Sequence, residues 1–293
     1  MPSTIEIQKE GRPKGGPLNV LFKYLKAFKK HTGRNVIVYY SGFLFTNANN
    51  TSISDEDMSG FMNAVYKMDK RKGLDIFLHT PGGLVSATEG IGNYLKSVFN
   101  DNIECYIPHM AMSCGTLLAM GCRKIYMGKH SCLGPIDPAL GSYRADAVIE
   151  EFSNAKKDIG NNPNLSLLWQ PIISKYPITF LGECEKAKQL AADVCEKWLS
   201  EGMLKDAENK DDKIKTIKAV FAEHQNSKTH DRHISPAEVN RVGLNVSLIE
   251  DNPVLQDLVM SVHHAATNYI RQQGIAKMIS NVSGRGLFVN IPK

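Results

Sequence analysis

The sequence lacks any long apolar run. No stretch approaches the ~18 consecutive apolar residues of a membrane span. The most apolar segment, 36–45, is interrupted by Ser41 and Gly42 and reads as a strand. The N-terminal residues MPSTIEIQKEGRPKGG hold no apolar block, so no secretory signal is expected there. The six cysteines form no C-x-x-C pair and no paired-ligand zinc pattern. No metal and no cofactor is therefore expected, and the thiols read as reduced in a cytoplasmic setting. Charge of one sign is also scarce: the net charge is +5. The small basic clusters at Lys29-Lys30 and Lys70-Arg71-Lys72 read as solvated surface rather than a nucleic-acid footprint. A G-x-x-x-x-G-K-[ST] loop is absent, so any ATP-driven unfolding would need a separate ATPase chain. A G-x-S-x-G elbow is absent too, which excludes the α/β-hydrolase pattern.

What is present is an alternation. Residues 1–16 read as a flexible arm rich in Gly, Pro and charge, and 18–30 (LNVLFKYLKAFKK) as an amphipathic helix. Strands are expected at 35–40, 74–79, 103–107 and 124–127, separated by helices over about 55–69, 87–98 and 110–119. That order predicts an α/β layered fold with a mostly parallel sheet. After Leu140 the pattern becomes helical, with long stretches at 183–201 and 212–224. The chain divides accordingly: 1–33 as arm and helix, 34–143 as a core, 144–226 as a helical arm, and 227–293 returning to the core. In this last part a short helix starts at Ser235-Pro236, a strand lies near 246–248, a helix spans about 253–273, and a terminal strand covers 286–291.

Two segments carry the chemistry. His79-Thr80-Pro81-Gly82-Gly83 ends a strand, and a glycine pair there lets backbone N–H groups face a cavity with no Cβ in the way. Such donors are what an oxyanion hole requires. Met112-Ser113-Cys114-Gly115-Thr116 follows the next strand and opens a helix, a position that exposes the Ser113 hydroxyl and adds the Cys114 N–H as a further donor. Alone, each has a plain structural reading, as a turn and as a helix cap. Together they lie at the ends of successive parallel strands, where such sheets place their sites.

Three stretches, LDIFLHTPGGLVSATEGIGNYL, IPHMAMSCGTLLAMGCRKIYMGKHSCLGPIDPAL and KTHDRHISPAEVNRVGLNV, resemble the serine dehydrogenase proteinase family. That family is a distant relative of the Clp protease proteolytic subunit and of signal peptide peptidase A. The resemblance covers most of residues 34–250 and implies a Clp/crotonase-like fold with an added helical arm. It implies a serine peptidase with Ser113 as nucleophile, Asp137 as acid and His230 as base, His233 being the second choice. The oxyanion donors would be Gly82, Gly83 and Cys114. Cys114 stands where the family usually has alanine, and His233 where it usually has proline. The pair His263-His264 reads as structural.

Other readings compete. Lys156 or Lys157 would serve as base in a Ser–Lys dyad of the signal peptide peptidase A type. Crotonase-like acyl-CoA chemistry needs no serine at this place. An inactive scaffold would bind peptides without cutting them. The expected partners are a peptide or protein substrate and further copies of the same chain in a homo-oligomer, since 144–226 holds more amphipathic helix than one core needs.

Overall fold

The computed structural model describes residues 3–11, 16–222 and 231–292. Ser3 opens the first helix, α1 (Thr4–Glu10), with a reciprocal cap. Its hydroxyl takes the Glu6 N–H, and the Glu6 carboxylate takes the Ser3 N–H. The flexible arm expected over 1–16 is corrected for this stretch: the cap and the full burial of Ile7 hold it as helix against the body. Helix α2 (Gly16–Thr32) follows and buries Val20, Leu21, Leu25 and Phe28.

The alternation is then as read. Strand β1 (Asn35–Ser41) leads to α3 (Asp57–Val65), β2 (Leu74–His79), α4 (Val85–Phe99) and β3 (Ile103–Ile107). After β3 come the two-residue β4 (Met110–Ala111), α5 (Cys114–Met120), β5 (Lys124–Met127) and the short β6 (Cys132–Leu133). A small hairpin, β7 (Ala139–Leu140) and β8 (Tyr143–Arg144), introduces α6 (Ala145–Asn161), α7 (Ser166–Ile173), α8 (Phe180–Glu201) and α9 (Lys210–Phe221). The chain closes with α10 (Pro236–Arg241), β9 (Val246–Leu248), α11 (Pro253–Gln273), β10 (Ile275–Asn281) and β11 (Gly286–Asn290).

The main sheet runs in the order β11-β10-β1-β2-β3-β5-β9. Strands β1, β2, β3, β5 and β9 are mutually parallel; β10 and β11 add an antiparallel hairpin on the β1 edge. Both faces are covered, so β1 and β2 are buried along their whole length rather than alternating. Ile37, Ile76, Leu78 and Cys105 pack on the α3–α5 side. Val36, Val38, Tyr40, Phe77 and Tyr106 pack on the side of α2 and α11. At the carboxyl ends of the strands a second, fragmentary ladder forms. Ile53 pairs with Gly83, Thr80 with Ala111, β4 with β6, and Leu133 with Ile234.

The helices after Leu140 divide in two. Ala145 and Val148 of α6, with Phe180 and Cys184 of α8, make a small core of their own. Val194, Cys195, Trp198 and Leu199 of α8, and Ile214, Ile217 and Phe221 of α9, belong to the main core instead. Trp198 is fully buried, and its indole donates to Asn93 Oδ1 at 3.1 Å. A Cβ at Gly92 would stand 2.3 Å from its ring, and one at Gly121 2.8 Å. Two glycines therefore admit it. The far half of α8 is thus built into the body. Trp198→Ala should cost about 3–5 kcal/mol in chemical denaturation of the full chain; a cost below about 1 kcal/mol would show that α8 is peripheral.

Candidate active site

Ser113 sits at the junction of β4 and α5 with φ 51° and ψ −121°, a conformation that L residues avoid. Holding such a residue costs of order 1–3 kcal/mol and persists only where the surroundings enforce it. The surroundings do so from both sides. Thr116 Oγ1 lies 2.8 Å from the carbonyls of both Ala111 and Gly134 and accepts the Gly134 N–H at 3.0 Å. It ties the start of α5 to the run that leads into Asp137. From the other side comes Gly82, at φ +99°. A Cβ on Gly82 would stand 2.6 Å from Ser113 Cβ and 2.8 Å from the Met112 carbonyl. Only glycine permits this approach, which fulfils the expectation that the Pro-Gly-Gly turn and Ser113 meet.

The donors can be assigned from the ladder. The Gly82 carbonyl accepts the Ile53 N–H at 2.7 Å, and the Leu84 N–H donates to the Ile53 carbonyl at 3.0 Å. In a parallel pair the residue between, Gly83, turns its own N–H and C=O the other way. Its carbonyl accepts the Cys114 thiol at 3.0 Å, so the Gly83 N–H faces the Ser113–Cys114 side. Among the described residues, neither the Gly83 N–H nor the Cys114 N–H bonds to an oxygen acceptor, although the Cys114 sulfur lies near both. The Gly82 N–H differs, because it donates to Thr80 Oγ1 at 3.1 Å. Gly82 supplies clearance, while Gly83 and Cys114 supply donors. Ser113 lines a groove of about 470 Å³ together with Ile53, Gly82–Val85, Pro138–Leu140 and Leu190.

Asp137 is 1% exposed, and its Oδ2 accepts from Arg144 Nη2 at 2.9 Å. Arg144 carries no motif, and Thr116 and Thr80 sit inside the quoted motifs without an assigned role. Their signal in the sequence is only that a polar residue recurs beside the glycines. His230 lies outside the described residues. On either side of it, Phe221 accepts the Ile136 N–H at 2.7 Å, and Ile234 exchanges both backbone bonds with Leu133 at 2.8 and 3.1 Å. His233 is exposed and does not line the groove. Lys156 and Lys157 are exposed on α6 and also stand outside its lining.

On the α2 and α11 side of the sheet, beside Tyr40, is a layer of imidazoles. His79 stacks on His109 with centroids 5.3 Å apart and meets His263 at 5.6 Å. His263 Nδ1 is 3.2 Å from the Tyr40 hydroxyl. His79 is fully buried, and among the described residues neither of its ring nitrogens makes a well-formed hydrogen bond, although the Met110 backbone lies near. Burial, aided by His109, holds its pKa down to about 3. Burial also lowers His263 and His109, the latter aided by His130 and His233. The reading of His263 as structural agrees with this packing. None of the described His, Cys, Asp and Glu residues form a cluster able to hold a metal ion.

The mixed sheet, with the strained Ser113 and the Gly82-Gly83 turn at the ends of its parallel strands, is the frame of a ClpP-like α/β fold. Residues 49–260 match the family of ClpP-like SDH-type serine proteinases, and the chain belongs to that family. The resemblance carried by the motifs is thereby borne out. Two proteins of Methanocaldococcus jannaschii are similar to it. The uncharacterized protein MJ0137 is 30% identical over 200 residues, covering 66% of this chain and 60% of its own length. The uncharacterized protein MJ1495 is 36% identical over 100 residues, 34% of each chain. Among solved structures, a serine-to-alanine mutant of the 1510-N membrane-bound stomatin-specific protease matches with a TM-score of 0.41 and 16% identity, covering 83% of this chain and 89% of that one. No helix among the described residues is long and apolar enough to cross a membrane.

Two outcomes follow from this geometry. Gly82→Ala places a methyl against Ser113 and the Met112 carbonyl at a positive φ. It should abolish labelling of Ser113 by a fluorophosphonate, and wild-type labelling would contradict the packing described. The histidine layer sets a pH dependence. A folded pKa held below the ordinary value of about 6.5 gives stability that is complete above pH 6.5 and lost as pH falls towards about 3. The thermal midpoint should therefore drop on acidification below pH 6.5. His79→Phe should flatten that slope by roughly 1.4 kcal/mol per pH unit; an unchanged slope would show that His79 takes no part.

Proposed function

We propose that the chain is a serine endopeptidase that cleaves peptide bonds through an acyl-enzyme on Ser113. The observation that carries this reading is the strained Ser113 packed against Gly82, with the Gly83 backbone turned to the same Ser113–Cys114 segment. Ser113 Oγ attacks the scissile carbonyl carbon and forms a C–O bond, while its proton passes to an imidazole. The carbonyl oxygen takes the negative charge and lies against the two N–H donors. Collapse of the tetrahedral species breaks the C–N bond, and the imidazole returns the proton to the leaving amine. Water then repeats the steps to release the acid.

His230 is the imidazole we assign, with Asp137 orienting it. Three facts support the choice: the described residues on both sides of His230 are bonded to the Leu133–Ile136 run, Asp137 follows that run directly, and Pro138 lines the groove. The groove walls suit an extended chain with apolar side chains at Ile53, Leu84, Leu140 and Leu190. We further read the protein as a cytoplasmic homo-oligomer. Leu167, Leu168 and Ile178, at 78%, 60% and 93% exposed, are the apolar groups that self-association would cover. A monomeric mass in light scattering at micromolar concentration would refute that part.

Single variants test the chemistry. Ser113→Ala should abolish peptide cleavage and fluorophosphonate labelling with an unchanged thermal midpoint. Ser113→Gly should be as inactive yet more stable by about 1 kcal/mol, because glycine relieves the positive φ. His230→Ala should be nearly as inactive, and His233→Ala should keep most activity. Loss of activity in His233→Ala alone would move the base by three positions. Loss in Lys156→Ala or Lys157→Ala alone would replace the triad with a dyad.

A further inference from the structure

Lys277 is a lysine in the interior. It stands on β10 opposite Ser41, and its side chain is 2% exposed. Its Nζ lies 2.6 Å from Asp57 Oδ1, a carboxylate with no exposed surface. Replacing such a pair by apolar residues is often neutral or stabilising, so stability alone explains it poorly. What an apolar pair could not do is hold backbone. Lys277 Nζ also donates to the Ser52 carbonyl at 2.9 Å and to Ser54 Oγ at 3.2 Å. Asp57 Oδ2 accepts the Ser54 N–H at 3.1 Å and the Tyr39 hydroxyl at 2.9 Å. The residues before and after Ile53 are thus clamped to one buried pair.

Ile53 is the residue that pairs with Gly83. A Cβ on Gly83 would stand 2.2 Å from the Ile53 carbonyl, so the two backbones are in direct contact. A second route reaches the same turn. The Tyr39 hydroxyl, which donates to Asp57, lies near the Thr80 side chain, and Thr80 Oγ1 accepts the Gly82 N–H. We propose that Lys277 and Asp57 are positioning residues for the reaction: by fixing Ser52 and Ser54 they fix Ile53, and through Ile53 the direction of the Gly83 N–H at Ser113. This rests on the reading of Ser113 as nucleophile and deepens it.

The test uses the full chain with Lys277→Met and Asp57→Leu combined, so that neither charge is left buried alone. Three quantities are compared with wild type: the thermal midpoint, the rate of fluorophosphonate labelling at Ser113, and amide hydrogen exchange. The thermal midpoint should stay within a few degrees. The Ile53 and Leu84 amides should exchange at least ~10-fold faster, while those of β2 keep their protection. Labelling should slow by about 10²-fold, the loss typical of one oxyanion donor. Unchanged exchange at Ile53 and Leu84 overturns the proposal, whether or not wild type takes the label. Faster exchange with wild-type labelling overturns it too, because the strand would then hold no N–H that matters. A wild type that takes no label refutes the nucleophile instead, and exchange still judges the clamp. Should the double variant not fold, Tyr39→Phe decides. It keeps the ring stacked on Phe61 with centroids 6.0 Å apart and loses only the hydroxyl. Labelling should then fall about 5-fold with faster Ile53 exchange, and no change in either quantity overturns the proposal.

Discussion

No side-chain atom fits between the Gly82 turn and the Ser113 peptide, and much of the site follows from that contact. The turn is pressed so close that a single methyl would overlap Ser113 Cβ. The serine, in turn, occupies a backbone region that costs energy in isolation. Neither side would hold its conformation alone. The Thr116 hydroxyl lies between the Ala111 and Gly134 carbonyls and accepts the Gly134 N–H, and the Cys114 thiol bonds across to Gly83. The cysteine thus keeps the backbone donor that an alanine would offer and adds a bond between the two segments. The strain is distributed over these bonds, which is how a strained residue survives in a packed protein.

The sheet explains why the contact forms there. Strands β1, β2, β3 and β5 are adjacent, parallel and in sequence order, so β2 and β3 end side by side. Each chain leaves its strand and continues into the smaller ladder, where Thr80 pairs with Ala111 and Ile53 with Gly83. The hairpin of β10 and β11 lies on the far side of β1. It still reaches the site, because Lys277 points from β10 to the loop ahead of α3. Residues far apart in the chain therefore set the position of one peptide bond.

The legible parts were those written locally. β-Branched and aromatic runs bounded by turn residues mark the parallel strands, and the glycine pair and Ser113 stand at consecutive strand ends that the fold brings into contact. The α1 capping box was in the sequence as Ser3 and Glu6 but was outweighed by the surrounding Gly, Pro and charge. The strand at Ile275–Asn281 was not anticipated, because Lys277 and Asn281 interrupt its apolar pattern; both are buried only because distant groups satisfy them. Arg144 beside Asp137 and the entry of Trp198 between Gly92 and Gly121 were invisible for the same reason. Such partners are chosen by tertiary contact, and nothing in a local pattern names them. The helical stretch after Leu140 read as one piece because its periodicity is uniform, while the packing divides it between two cores.

The buried titratable groups around the site fall into two kinds, and the difference bears on how charge is handled there. On the α2 and α11 side, burial and the neighbouring histidines lower the pKa of His79 and His263, and His263 Nδ1 meets the Tyr40 hydroxyl. On the α3 side, burial pushes the Asp57 carboxyl up while Lys277 pulls it back, and among the described residues the two charges meet each other, Tyr39 and the Ser52–Ser54 loop. A neutral layer contributes no net charge, and a paired one contributes little at a distance. Negative charge developing at a carbonyl oxygen would then be met chiefly by the Gly83 and Cys114 dipoles, in surroundings where water screens them weakly. Dipoles act over short range and only when correctly aimed. A site that relies on them needs its backbone held rigidly, which is the work done by the glycine contact on one side of Gly83 and by the Ile53 clamp on the other.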